Sequence, residues 1–153
     1  AMQSIIDTMD PSLRDPGLWR PMTQGLAISV PIVAGGRESG SITLNALPFI
    51  VTAISHQILG LLDGDDVAIQ DGQYLVRWND ESSLYVNTAL PADMLFGSVR
   101  TGHAKSLPFP IAYGGNSVVT FEVTNVITRT NGHSDYFQVY FALEGWANFG
   151  KPR

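Results

Sequence analysis

From Leu26 onward, apolar and small or polar side chains take turns along the chain. Leu26, Ile28, Val30 and Ile32 fall on one side of an extended backbone, with Ala27, Ser29 and Pro31 on the other. A period of two is the mark of a strand with one buried face. It recurs where Val119, Phe121 and Val123 alternate with Thr120, Glu122 and Thr124 inside a predicted strand from Ser117 to Val126. It recurs again from Tyr136 to Trp146, where Phe137, Val139, Phe141 and Leu143 form the expected core face. Tyr74 to Trp78 reads as a further strand, with Leu84 to Thr88 as its hairpin mate across the Asn79 to Ser83 turn.

Turn chemistry separates these runs. Gly35-Gly36-Arg37-Glu38-Ser39-Gly40 is followed by Ile42 and Leu44, which resume the alternation and suggest a hairpin with the Leu26 strand. Pro31 removes an amide donor, so that first strand is expected at a sheet edge or with its pairing ended there. Asp63-Gly64-Asp65-Asp66, Asp71-Gly72 and Asn131-Gly132 mark other turns, and Pro91 to Phe96 fits one helical turn. The run from Pro48 to Leu62 is ambiguous, because apolar residues at 49, 50, 51, 54, 58, 61 and 62 suit a helix nearly as well as a strand. The β-branched residues Ile50, Val51, Thr52 and Ile54 favour the strand.

The first two dozen residues lack this alternation. Pro11, Pro16, Pro21 and Gly17 favour an extended or turn-rich course, with at most a short helix near Ile5 to Met9. Residues 1–24 therefore read as an extended N-terminal arm, with Ala1 as the scar of a cleaved tag, and residues 25–153 as the main domain. Trp19 in the arm has no periodic partners and is expected to dock on a surface, its own or a neighbour's. Short strands at this spacing, with no helices alternating between them, predict an all-β fold: an antiparallel β-sandwich or a jelly-roll-like barrel.

Composition narrows the chemistry. The 153 residues include no cysteine, which removes disulfides, thiolate metal sites and cysteine nucleophiles. A net charge of −5, with nine scattered basic residues, argues against a nucleic-acid partner. No apolar run is long enough to span a bilayer and no leader pattern is visible, so neither a membrane partner nor a signal peptide is expected.

No motif supplies catalysis. The spacing of Asp63, Asp65, Asp66 and Asp71 fails the EF-hand pattern, since Val67 stands at the third ligand position and no Glu closes the loop. His56, His103 and His133 lack metal-ligand spacing, and adjacent His133-Ser134-Asp135 cannot converge as a triad. The glycine pairs at 35–36 and 114–115 lack the context of a phosphate loop and are read as turn residues with positive φ. No cofactor, metal or catalytic residue is assigned.

The aromatic residues offer the interface candidates. Opposite the core face of the last strand lie Tyr136, Gln138, Tyr140, Glu144 and Trp146, an amphipathic set suited to a partner surface or a sugar ring. Trp19, Tyr136, Tyr140 and Trp146 are the candidate contact residues. Trp78, Tyr85 or Trp146 stacking on a sugar would make a carbohydrate-binding module the alternative function.

The succession Leu107-Pro108-Phe109-Pro110-Ile111, Gly114-Gly115-Asn116-Ser117, Thr120-Phe121-Glu122-Val123-Thr124-Asn125 and Gln138-Val139-Tyr140-Phe141-Ala142-Leu143-Glu144-Gly145 resembles the small β-sandwich virion proteins of tailed bacteriophages. In those, a proline-bearing segment with a Gly/Ser turn leads into a strand ending in Thr-Asn, and the closing strand ends near a Gly followed by an aromatic residue. The likeness covers the last third of the chain. It implies a non-enzymatic, capsid-associated cement, decoration or minor structural role in a virion assembled in the host cytoplasm. The implied partners are copies of the chain itself, with a trimer slightly favoured, and a major capsid or other virion protein.

Overall fold

A computed structural model of the chain describes residues 2–31, 35–61, 74–80, 88–96, 106–126 and 136–150. Eight strands run in the order β1 (Trp19–Pro31), β2 (Arg37–Thr43), β3 (Phe49–Leu61), β4 (Tyr74–Asp80), β5 (Leu90–Pro91), β6 (Ser106–Tyr113), β7 (Val118–Asn125) and β8 (Tyr136–Asn148). Two short helices, α1 (Met2–Asp7) and α2 (Ala92–Phe96), and two 3-10 turns complete the described elements.

The strands form two antiparallel four-stranded sheets, ordered β1-β8-β3-β6 and β2-β7-β4-β5. First pairs with last, second with seventh, third with sixth and fourth with fifth. β8 and β7 each pair with a second strand, β3 and β4 respectively. That is a long hairpin rolled across two layers, the strand order of a jelly roll. Among the described residues the sheets stay open at their edges and no barrel closes, so the fold is the sandwich form of the expected all-β class.

Alternation dictates what lies between the sheets. Phe137, Val139, Phe141 and Leu143 of β8 face Val119, Phe121 and Val123 of β7, all buried. Phe121 and Phe141 stack with ring centroids 4.4 Å apart at 9°, and Trp78, the cross-strand partner of Phe121, lies parallel to it at 6.3 Å and 8°. Phe96 of α2 meets Phe121 and Phe141 edge-on. Aromatic pairs in these geometries add to the stabilisation from burial itself.

Several expectations are corrected. The arm ends sooner, at Leu18, and residues 19–24 belong to β1, because pairing with β8 runs unbroken from Trp19↔Asn148 to Pro31↔Tyr136. β1 and β2 do not form a hairpin but enter different sheets, as do β7 and β8, since each crosses the sandwich to a strand distant in sequence. Gly35 does take a positive φ of 75°, but at the second glycine pair the left-handed residue is Asn116, at 59°.

Other expectations hold. β1 is an edge strand, Pro48 to Leu62 contains strand β3, and the helical turn at Pro91 to Phe96 is α2. The expected strand Leu84 to Thr88 lies outside the described residues except for Thr88, which precedes β5 in a bend. The Asp63 to Asp71 cluster, Tyr85, His103 and the His133-Ser134-Asp135 run also lie outside them.

Candidate functional site

The N-terminal segment lies on its own sandwich. Ile6, Leu18, Trp19 and Ile50 are buried together, with Ile5, Met9 and Trp146 against them, on the outer face of the first sheet. Asp10 and Asp15 start the two 3-10 turns by accepting the amides of Ser12 and Gly17, and a proline follows each at the first helical position. The Asp10 carboxyl is held below the usual aspartate range by the Ser12 amide and hydroxyl, helped by the Arg14 charge.

These turns bring Leu13 over the sheet, where its carbonyl oxygen accepts Trp19 Nε1 at 2.8 Å and Asn148 Nδ2 at 3.4 Å. The Phe149 amide donates to Leu18 at 2.9 Å. Of the interface candidates, Trp19 and Trp146 are therefore occupied by the chain's own first residues.

The rest of that outer face is more open to solvent. Exposed Thr23, Gly25, Ala27 and Ser29 of β1 stand opposite Glu144, Ala142, Tyr140 and Gln138 of β8, in register. Tyr140 is the large side chain among them, 37% exposed, with its hydroxyl donating to Gln138 Oε1 at 3.1 Å. Tyr136 pairs with Pro31 at the far end of β8. The structure thus separates the four candidates into a covered pair, Trp19 and Trp146, and an open residue, Tyr140, with Tyr136 beyond it along the same strand.

On the outer face of the second sheet, Arg37, Arg77, Leu75, Glu122 and Thr124 line a groove of about 270 Å³. Arg77 and Glu122 stand opposite each other on β4 and β7, with Ser39 of β2 on the other side of Glu122. The groove is shallow and polar, suited to a solvated contact.

No family model, curated protein or solved structure matches the chain.

Among the described residues His56, Asn125 and Asn148 are buried polar side chains, and His56 lies between the elements of the core. His56 of β3 is 2% exposed; its Nδ1 meets the hydroxyl of fully buried Tyr74, and its Nε2 lies 3.0 Å from Asp93 Oδ1 on α2. A carboxylate only accepts, so Nε2 carries a proton towards Asp93, while Nδ1 faces the Tyr74 hydroxyl. The trio ties β3, β4 and α2 together. Its imidazole and phenol have no access to solvent, which suits a structural role. The sequence contained its signal: His56 shares the inward parity of Ile54, where a polar ring requires partners.

Trp78, considered as a sugar-stacking residue, is 6% exposed and lies between Phe121 and Phe96 in the core. Among the described residues no group of three or more His, Asp or Glu side chains is placed to hold a metal ion. None of the described helices is long and apolar enough to cross a membrane.

Proposed function

We propose that this chain is a virion structural protein: a capsid-associated cement, decoration or minor structural component that acts by self-association and by contact with a major capsid or other virion protein. The supporting observation is the jelly-roll strand order with an interior filled by stacked rings. Jelly rolls serve viral capsid and lectin domains alike. With rings packed between the sheets, the faces left for function are the outer ones, as a shell subunit requires. The role needs no catalysis, nucleic acid or membrane, and the protein acts in the particle after assembly in the host cytoplasm.

The test is co-sedimentation with shells assembled from the major capsid protein of the same virus. Wild-type chain should pellet with a fixed, saturable stoichiometry, and a variant lacking residues 2–17 should lose most of that binding while keeping its β-type dichroism. The deletion stops there because Trp19 begins β1. Absence of pelleting, together with saturable binding on a glycan array that Tyr140→Ala abolishes, would replace this reading with a carbohydrate-binding module.

A further inference from the structure

Among the described residues four strands edge the sandwich: β1 and β6 in one sheet, β2 and β5 in the other. Three of them carry proline, with Pro21 and Pro31 on β1, Pro108 and Pro110 on β6, and Pro91 on β5. Proline has no amide to offer an added strand, and natural sheets use it to blunt their edges. β2, Arg37–Thr43, has none, and every one of its residues is exposed or half-buried.

The direction of its amides follows from the ladder. The Leu44 amide donates to Ser117 across the sheet, which by alternation directs the even-numbered amides of β2 at β7. Those of Arg37, Ser39, Ser41 and Thr43 then face the open side. The Ser39 amide reaches an exposed carboxylate oxygen of its own neighbour, Glu38, at 3.2 Å.

We propose that β2 is a homodimerisation edge, pairing antiparallel with β2 of a second copy about a two-fold axis at Gly40. In that register Arg37 faces Thr43, Glu38 faces Ile42 and Ser39 faces Ser41, so all seven residues are matched. No charge stands opposite a like charge. Both Arg37 with Thr43 and Ser39 with Ser41 are pairs of open-side residues, so every open amide and carbonyl of the strand finds a partner. Gly40 falls at a non-bonded pair, where antiparallel strands come closest and a side chain would be most crowded.

A second copy is the occupant because the strand is its own complement in this register and closes a symmetric pair. The product is one continuous sheet of eight strands across two chains. Seven residues a side make a small interface, so the pair forms reversibly and becomes permanent only where many copies are held together.

The pairing rests on the self-association in the virion reading, and the experiment separates the two. In sedimentation equilibrium of the full chain, the mass should rise from one chain towards two with concentration. Exchange of the Ser39 and Ser41 amides should slow in parallel. Ser41→Pro deletes an open-side donor while sparing the β7 ladder, and Ser41→Lys places two charges beside the axis. Each should weaken dimerisation at least tenfold, and the lysine variant decides should the proline variant not fold.

A wild-type chain that stays monomeric, or a dimer of equal strength in Ser41→Lys, overturns the pairing. Monomers that still bind capsid shells would sink the pairing alone. A β2 dimer that ignores shells would uphold it and sink the virion reading.

Discussion

Gly145 of β8 passes so close to Ile50 of β3 that a Cβ at this position would overlap the Ile50 carbonyl oxygen. The approach is set by register, since Ile50 pairs with Trp146 and Val51 with Gly145, immediately before an irregularity between Val51 and Ala53. The obstacle is main chain, which cannot swing aside as a side chain could. Gly145→Ala is expected to cost about 3 kcal/mol, the upper part of the usual overpacking range, and to lower Tm by roughly 10 °C. Urea denaturation against wild type checks it.

The Phe121–Phe141 stack holds the two sheets together at their centre. Both rings are buried, and each contacts Phe96 as well. Phe141→Ala should lose about 3–5 kcal/mol, and Phe141→Leu distinctly less, because leucine refills most of the volume. A double-mutant cycle with Phe121→Leu should show coupling of about 0.5–1.5 kcal/mol for the ring pair.

Around His56, the two partners are unequal. Tyr74 is fully buried, whereas the side chain of Asp93 is 38% exposed. Tyr74→Phe removes the hydroxyl that meets His56 Nδ1 and is expected to cost about 1–3 kcal/mol. Asp93→Asn keeps an acceptor oxygen facing Nε2 on a side chain that is 38% exposed, so it should cost under about 1 kcal/mol. Chemical denaturation of both variants gives the comparison, and a larger loss from Asp93→Asn would reverse the proposed order.

Asp10 supplies the pH dependence. Its carboxyl is depressed first by the Ser12 amide, then by the Ser12 hydroxyl, with a contribution from Arg14. A depressed folded value means that its support for the first 3-10 turn is complete above the ordinary aspartate value. That support is lost as pH falls through the depressed one. Carbon-detected NMR titration should find Asp10 below the ordinary aspartate value, and Ser12→Ala should move it back up.

Wherever the chain keeps strict alternation, the fold was readable in advance. The inward set Phe137, Val139, Phe141 and Leu143 is buried as expected, and so is Val119, Phe121 and Val123. β3 was harder to read because Ile50 and Val51 are both buried, one under Trp19 and one in the core, and the irregularity beyond Val51 breaks the period. Trp19 to Gln24 escaped notice because Pro21 and scattered polar residues hide a strand whose pairing comes from β8, more than a hundred residues away in sequence. The same distance explains the mistaken hairpin of β1 with β2: local turn signals say where a strand stops, not which layer the chain enters next. The inward parity of His56 was readable but its partners were not, since Tyr74 and Asp93 reach it from separate elements.

The position of β8 between β1 and β3 sets the order in which the molecule can be made. Two of the longest strands, β1 and β3, have no shared neighbour until residues 136–148 arrive, so a nascent chain must keep both from straying for nearly its whole synthesis. Pairings this remote are slow to find and leave sticky intermediates behind. A growing polypeptide of this design gains from an escort on the ribosome, and shortened translation products lacking the final strand are destined for inclusion bodies.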